Sequence, residues 1–177
     1  MNSRHIINEL KHASGNHCES TTMTDLIAHE GIEITEAMVF GLDSTFGFTF
    51  FDKSQSPNEE AEFGMGSPLF IGGKQGSITN ESMACRILGL NIIFETFSSS
   101  DVAWDSSKNW INKKIPVGLQ VDMGHLSYLG LEENFHFGGH YITLVGYDEE
   151  KYEAFVYDNE FEDIQEIVIE DLKKARS

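Results

Sequence analysis

Cys18, His140 and Asp158 are the residues whose types, order and surroundings can support nucleophilic thiol chemistry. Cys18 follows Ser14-Gly15-Asn16-His17 and opens a segment, Cys18 to about His29 (CESTTMTDLIAH), with Met23, Leu26 and Ile27 at helical spacing and Gly31 as a stop. On the first turn of a helix a thiolate is favoured by the positive end of the dipole and by N–H groups that lack an intrahelical partner. Those N–H groups can also hold the oxyanion formed during acyl transfer. Such a thiol needs a base, and the base needs an orienting acceptor. His140 follows Gly138-Gly139 and opens an apolar strand running to Tyr147 (HYITLVGY), and Asp158 ends the next strand, Glu153 to Tyr157 (EAFVY). A tight turn around Asp148 to Lys151 makes the two strands antiparallel neighbours and brings His140 and Asp158 to one edge of a sheet.

Taken singly, the three have plainer readings as a structural cysteine, a packed histidine and a turn-forming aspartate. Their combination and chain order carry the inference. Competing arrangements are weaker. His136 and His140 have a metal-like spacing, but Phe137-Gly138-Gly139 would break the helix such a pair needs, and His17 points away from its neighbour Cys18. No metal and no bound cofactor is therefore expected. Gly64, Gly66, Gly72, Gly73 and Gly76 make no phosphate loop, since no Gly-Lys-Ser/Thr opens a helix after them, and Lys74 offers only a weak anion contact. Cys85, within ESMACRILGL, fits a buried helix face with Met83, Ile87 and Leu88.

The elements around these residues follow from pattern. A second helix is expected from a Thr35 cap to about Leu42, a strand at Phe46 to Phe51, a surface loop at Ser54 to Glu62, and a short apolar run at Leu69 to Gly73. A helix is expected from Asn80 to about Gly89 and a strand from Asn91 to Phe97. Serines 98 to 100 would cap a helix to about Lys113 with Val102, Trp104 and Trp110 as its apolar contacts. Strands at Pro116 to Met123 and Gln165 to Ile169 and a closing helix at Glu170 to Arg176 complete the chain. Helices in the first half and strands in the second favour a single α+β domain over residues 1–177, its helices packed on one side of a mostly antiparallel sheet.

The 29 acidic against 12 basic residues give a formal charge of -17, which argues against nucleic acid or an anionic membrane as partner and suits an amine-bearing, cationic one. Lys74 and the stretch from Lys108 to Lys114 are the basic candidates for meeting an acidic protein. Two cysteines are too few for a disulfide framework, no apolar run spans a bilayer, and MNSRHIINELKHASG has no signal-peptide pattern. A cytoplasmic location is expected.

Several separated strings, GNHCESTTMTDLIAHEGIEITEAMVFGLDSTFGFTFF, PLFIGGK, VGLQVDMGHLSYL and HFGGHYITLVGYDEEKYEAFVYD, resemble in order the N-terminal domain of butirosin biosynthesis protein H and its relatives. The resemblance runs from about residue 12 to the end. It implies a papain-like cysteine peptidase fold near the bacteriocin-processing peptidases, with Cys18 as nucleophile, His140 as base and Asp158 as its orienting acid. It further implies acyl transfer from the phosphopantetheine thioester of an acyl carrier protein to an amine of an aminoglycoside-like acceptor. Enzymes of the wider group place a glutamine ahead of the nucleophile to donate to the oxyanion. Here that position holds His12, with Asn16 nearer, so the Cys18 N–H with His12 or Asn16 is nominated for that role. The resemblance implies a further C-terminal region in the butirosin protein, one not expected within these 177 residues, leaving open a simpler substrate or a fragment. Two other readings also stay open: a cysteine peptidase or amidase with water as acceptor, and a catalytically silent binding domain.

Overall fold

The computed structural model describes residues 3–43, 46–52, 69–74, 82–132 and 134–176. Among them the chain is α+β, with a mostly antiparallel sheet and five α-helices. In chain order these are β1 (Arg4–Ile6), α1 (Cys18–His29), α2 (Glu36–Leu42), β2 (Phe46–Asp52), β3 (Leu69–Lys74), α3 (Met83–Leu88) and α4 (Ser100–Asn112). Then come β4 (Val117–Val121), two 3-10 turns at Met123–His125 and Ser127–Leu129, β5 (His140–Asp148), β6 (Glu153–Tyr157), β7 (Gln165–Val168) and α5 (Ile169–Ala175).

The centre of the sheet is β5, which pairs antiparallel with β6 along one edge. Along its other edge, β4 pairs with residues 140–144 and β1 with residues 146–148. Strand β7 closes the far side of β6, while β2 and β3 form a separate two-stranded ribbon. All nine residues of β5 are buried, which requires cover on both faces. On one face lies α1: a side chain at Gly118 would meet Thr22 Cγ2 at 3.0 Å, and Thr143, the register partner of Gly118, donates its hydroxyl to Asp25 of α1 at 2.8 Å. On the other face Trp104 of α4 packs edge-on against Tyr147 at 5.8 Å, and Leu119, Val121, Ile142 and Leu144 share one cluster with Ile111 of α4 and Leu172 and Ala175 of α5. The helices therefore cover both faces, not the single side expected from the sequence. Segregation along the chain says nothing of the face on which each helix lands.

Most element boundaries fall where the sequence places them. Thr35 caps α2 through its hydroxyl, and Ser99 precedes α4. The helix expected from Asn80 begins at Met83 after a Ser82 cap, and the expected surface loop at Ser54 to Glu62 lies outside the described residues. Residues 91–97, expected as a strand, pair with no other strand among the described residues; Ile93, Phe94 and Phe97 are exposed, so their apolar run is not a buried sheet face. On α4, Val102 faces solvent and Trp110 is half-buried, while Ala103, Trp104, Ser107 and Ile111 point inward. Cys85 is buried as expected, 3.8 Å from Met23 Sδ, but Met83 and Ile87 are exposed and Ala84 fills the core instead.

A charged contact clamps α1 to the sheet. The Asp25 carboxylate accepts from Thr143 Oγ1 on β5 and from His12 Nδ1 at 2.9 Å, and the His12 and Asp25 side chains are 1% and 3% exposed. Removing one partner of a buried pair leaves the other charge uncompensated, at a cost of about 3–5 kcal/mol. Asp25→Ala is thus expected to destabilise the fold by about that amount, whereas Thr143→Val, which removes one hydroxyl donor to the charged carboxylate and leaves the His12 pair in place, costs about 1.5–3 kcal/mol. Urea unfolding of the two variants beside the parent chain measures the difference, and equal losses would contradict the charged clamp.

Candidate active site

The loop entering α1 is fixed from both ends. His17, in extended backbone, accepts the Ser20 N–H on its Nδ1 at 3.3 Å, an N-terminal cap made by an imidazole lone pair instead of the usual hydroxyl or carboxylate. Ser20 Oγ donates to Glu36 Oε1 at 2.9 Å, and Glu36 Oε2 accepts the Asn16 N–H at 3.4 Å. Gly15 donates its N–H to the Asn159 carbonyl at 3.0 Å and accepts from Asn159 Nδ2 at 3.4 Å. Only glycine fits there, since any side chain would overlap Thr21 Oγ1. The loop that delivers Cys18 is thereby tied to the residue after Asp158.

Cys18 is half-buried on the first turn of α1, with Sγ 4.0 Å from the Gly139 carbonyl, and it lies close enough to His140 to raise the imidazole pKa. His140, the first residue of β5 and 4% exposed, directs Nε2 to Asp158 Oδ2 at 2.8 Å. That leaves Nδ1 as the ring nitrogen for Cys18. Asp158 is 1% exposed; its Oδ2 also accepts from the Tyr128 hydroxyl at 2.8 Å, and its Oδ1 accepts the Glu160 N–H at 3.3 Å. The structure thus brings together the three residues singled out from the sequence, in the order thiol, imidazole, carboxylate.

The electrostatics follow from that order. Burial works against a charged His140, but the hydrogen bond to Asp158, the contact with Cys18 and the charges of both outweigh it and push the imidazole up to about 9. Burial alone would raise Asp158, yet the His140 hydrogen bond and charge, the Tyr128 hydroxyl and the Glu160 N–H hold it below the usual carboxylate range. Tyr128 is pushed up by burial and then by the Asp158 charge, so its hydroxyl stays a proton donor.

The oxyanion nominations fare unevenly. His12 is not a free donor: Nδ1 is held by Asp25 and Nε2 by the Phe161 carbonyl at 2.9 Å, while the ring stacks on Tyr157 at 4.3 Å. Both ring nitrogens face acceptors, which fits a protonated ring. Burial opposes that charge, and the Asp25 hydrogen bond and charge with the backbone carbonyls outweigh it and raise the His12 pKa. Asn16 is exposed one residue before the cap, and the Cys18 N–H belongs to the first helical turn, where N–H groups have no intrahelical acceptor. Sequence reasoning missed Tyr128, Asn159 and Asp25. Asn159 was within reach as the neighbour of Asp158, but Tyr128 lies 30 residues from its partner with no motif to join them. Asp122, His125 and His136 are the group among the described residues that could hold a metal ion.

The sign of the pH dependence is fixed by the raised His140 pKa. Its contribution to stability is complete below the free-histidine value of 6.5 and is lost as pH rises through about 9. Asp158→Asn removes the anion on Nε2, so the His140 ring is expected to titrate well below the parent value. NMR titration of ring-labelled protein reads this directly, and an unchanged midpoint would show that Asp158 does not hold the charge.

The sequence model of one family, described as butirosin biosynthesis protein H, N-terminal, matches residues 17–159. That span starts one residue before Cys18, contains His140, Tyr128 and Asp158, and ends at Asn159. Neither the curated proteins nor the solved structures contain a match to the chain. With most of its length and all three of these residues inside the matched span, the chain belongs to the butirosin biosynthesis protein H N-terminal family.

Proposed function

We propose that the chain is a cysteine-dependent acyltransferase of specialised-metabolite biosynthesis, moving an acyl or aminoacyl group from a thioester to an amine through a Cys18 acyl-enzyme. The observation that carries this reading is the buried His140, held between the Cys18 side chain and the Asp158 carboxylate. Family membership supports it, because the family is named for the biosynthesis of butirosin, an antibiotic. A nucleophile helix laid on an antiparallel sheet that carries base and acid on adjacent strands also supports a papain-like arrangement.

In this reading the Cys18 thiolate attacks the thioester carbonyl, forming the S–C bond and an oxyanion beside the N–H groups of the first turn of α1. Collapse breaks the bond to the departing thiol, which takes the His140 proton. An amine then attacks the Cys18 thioester, His140 accepts the amine proton, and Cys18 leaves as thiolate. Asp158 keeps the ring oriented and balances its charge. The donor is proposed to be a phosphopantetheine thioester on an acyl carrier protein, and the acceptor a cationic amine drawn by the -17 charge. Within the stretch from Lys108 to Lys114 an acidic carrier would have to meet Lys113 or Lys114, since Lys108 is already spent on Asp105 and Glu149 at 3.1 and 3.3 Å, and Lys74 stays the other basic candidate. Among the described residues no helix is long and apolar enough to cross a membrane, and a cytoplasmic location is part of this proposal.

Incubating the chain with an aminoacyl thioester, with and without an aminoglycoside, tests the reading. The expected outcome is an acyl adduct on Cys18 by intact mass, an amide only when amine is present, and no adduct in Cys18→Ala. His140→Ala is expected to slow turnover by about 10²- to 10⁴-fold, the usual share of a positioned acid–base group. Release of free acid regardless of amine would replace the transferase with a hydrolase, and no adduct at all would leave a silent binding domain.

A further inference from the structure

Asp122, His125 and His136 meet beyond the end of β4. Asp122 follows Val121, the register partner of His140, and starts the 3-10 turn Met123–His125. One ligand atom from each of the three lies within 4.8 Å of the others. The Asp122 carboxylate is already oriented: Oδ1 accepts the Gly124 N–H at 3.0 Å and the Phe137 N–H at 2.8 Å, leaving Oδ2 toward His136 Nδ1 at 2.7 Å. The His125 and His136 rings sit 5.6 Å apart at 63°. Gly124 makes this possible, because a side chain there would overlap the Phe135 carbonyl and crowd His136. The group is open to solvent, with the His136 side chain 53% exposed.

We propose that Asp122, His125 and His136 form a site for one divalent transition-metal ion of the zinc class. Two imidazoles and one carboxylate are a borderline donor set that suits such an ion, and three protein ligands leave the fourth position to water. The backbone donors on Oδ1 are the outer-shell support that a ligating carboxylate needs. Binding through Nδ1 replaces the His136–Asp122 hydrogen bond with two ligand bonds, the neutral His136 ring then carrying its one proton on Nε2. The ion would add a cross-link where Met123 N–H already meets the Phe137 carbonyl at 3.0 Å and Gln120 Nε2 the Gly138 carbonyl at 2.9 Å. That segment leads directly into Gly139 and His140, so the metal would brace the approach to the proposed base.

The test uses the full chain carrying Cys18→Ala, so that the thiol cannot supply a rival metal site. After chelator treatment, zinc is titrated by calorimetry and cobalt(II) by visible absorption. The expected result is a single site with cobalt d–d bands and no thiolate charge-transfer band, and a folded chain that melts at higher temperature with zinc. His136 is exposed and His125 half-buried, and His125→Gln and His136→Gln are each expected to weaken zinc by more than about tenfold, the least that even outer partners contribute. Asp122→Asn keeps an acceptor for Gly124 and Phe137 and should weaken it likewise. Absence of saturable binding, or affinity unchanged in the two histidine variants, overturns the proposal.

Discussion

Asp25 carries a negative charge into the interface between α1 and the sheet, and the interface tolerates it because His12 and Thr143 converge on its two oxygens. Two buried charges repay their lost hydration only when geometry is good, so a pair of this kind adds modestly to net stability. Its consequence is positional. The carboxylate is satisfied in one placement of α1 on β5, and that placement sets where Cys18 at the tip of the helix meets His140 at the start of the strand. Gly118 allows the approach, since a larger residue would push against Thr22 and Leu26.

A second charged pair depends on the first. His12 reaches past Asp25 to the Phe161 carbonyl, and Phe161 in turn donates its N–H to the Asp158 carbonyl at 3.0 Å. Through Asn159 the same short stretch grips Gly15, three residues ahead of Cys18. The loop after β6 thus touches the helix clamp, the loop before Cys18 and the Asp158 carboxylate. A shift of any one of them is felt by the other two through hydrogen bonds that have no solvent-exposed substitute.

The sequence exposed the part of this that depends on local pattern and on strand adjacency. Cys18 reads as a helix start from the apolar spacing after it, and His140 and Asp158 read as neighbours because a tight turn joins β5 to β6. What was hidden depends on contacts between distant segments. His12 looked like an oxyanion donor because it precedes the cysteine at a suggestive distance, yet its partners are 13 and 149 residues away. Residues 91–97 have strand-like composition without a partner strand among the described residues, and β-propensity records fitness for a pleated surface, not the presence of one. The face on which α4 lands was equally invisible, because Trp104 announces burial but not the side of the sheet it buries against.

The state of His140 also orders the proposed steps in time. With free Cys18 beside it and Asp158 behind it the ring holds its proton to about 9, so near neutral pH it rests as an imidazolium, ready to protonate a departing thiol and unable to act as a base. Forming the Cys18 thioester removes the thiol side of that support, both its hydrogen bond and its charge, while burial goes on opposing the positive ring. Having given up its proton to the leaving group, the ring is then less inclined to regain one from solvent and is left as the base that an incoming amine requires. Asp158 keeps it oriented through both stages. In the proposed reaction the same imidazole would serve as acid and then as base because acylation of Cys18 changes its surroundings.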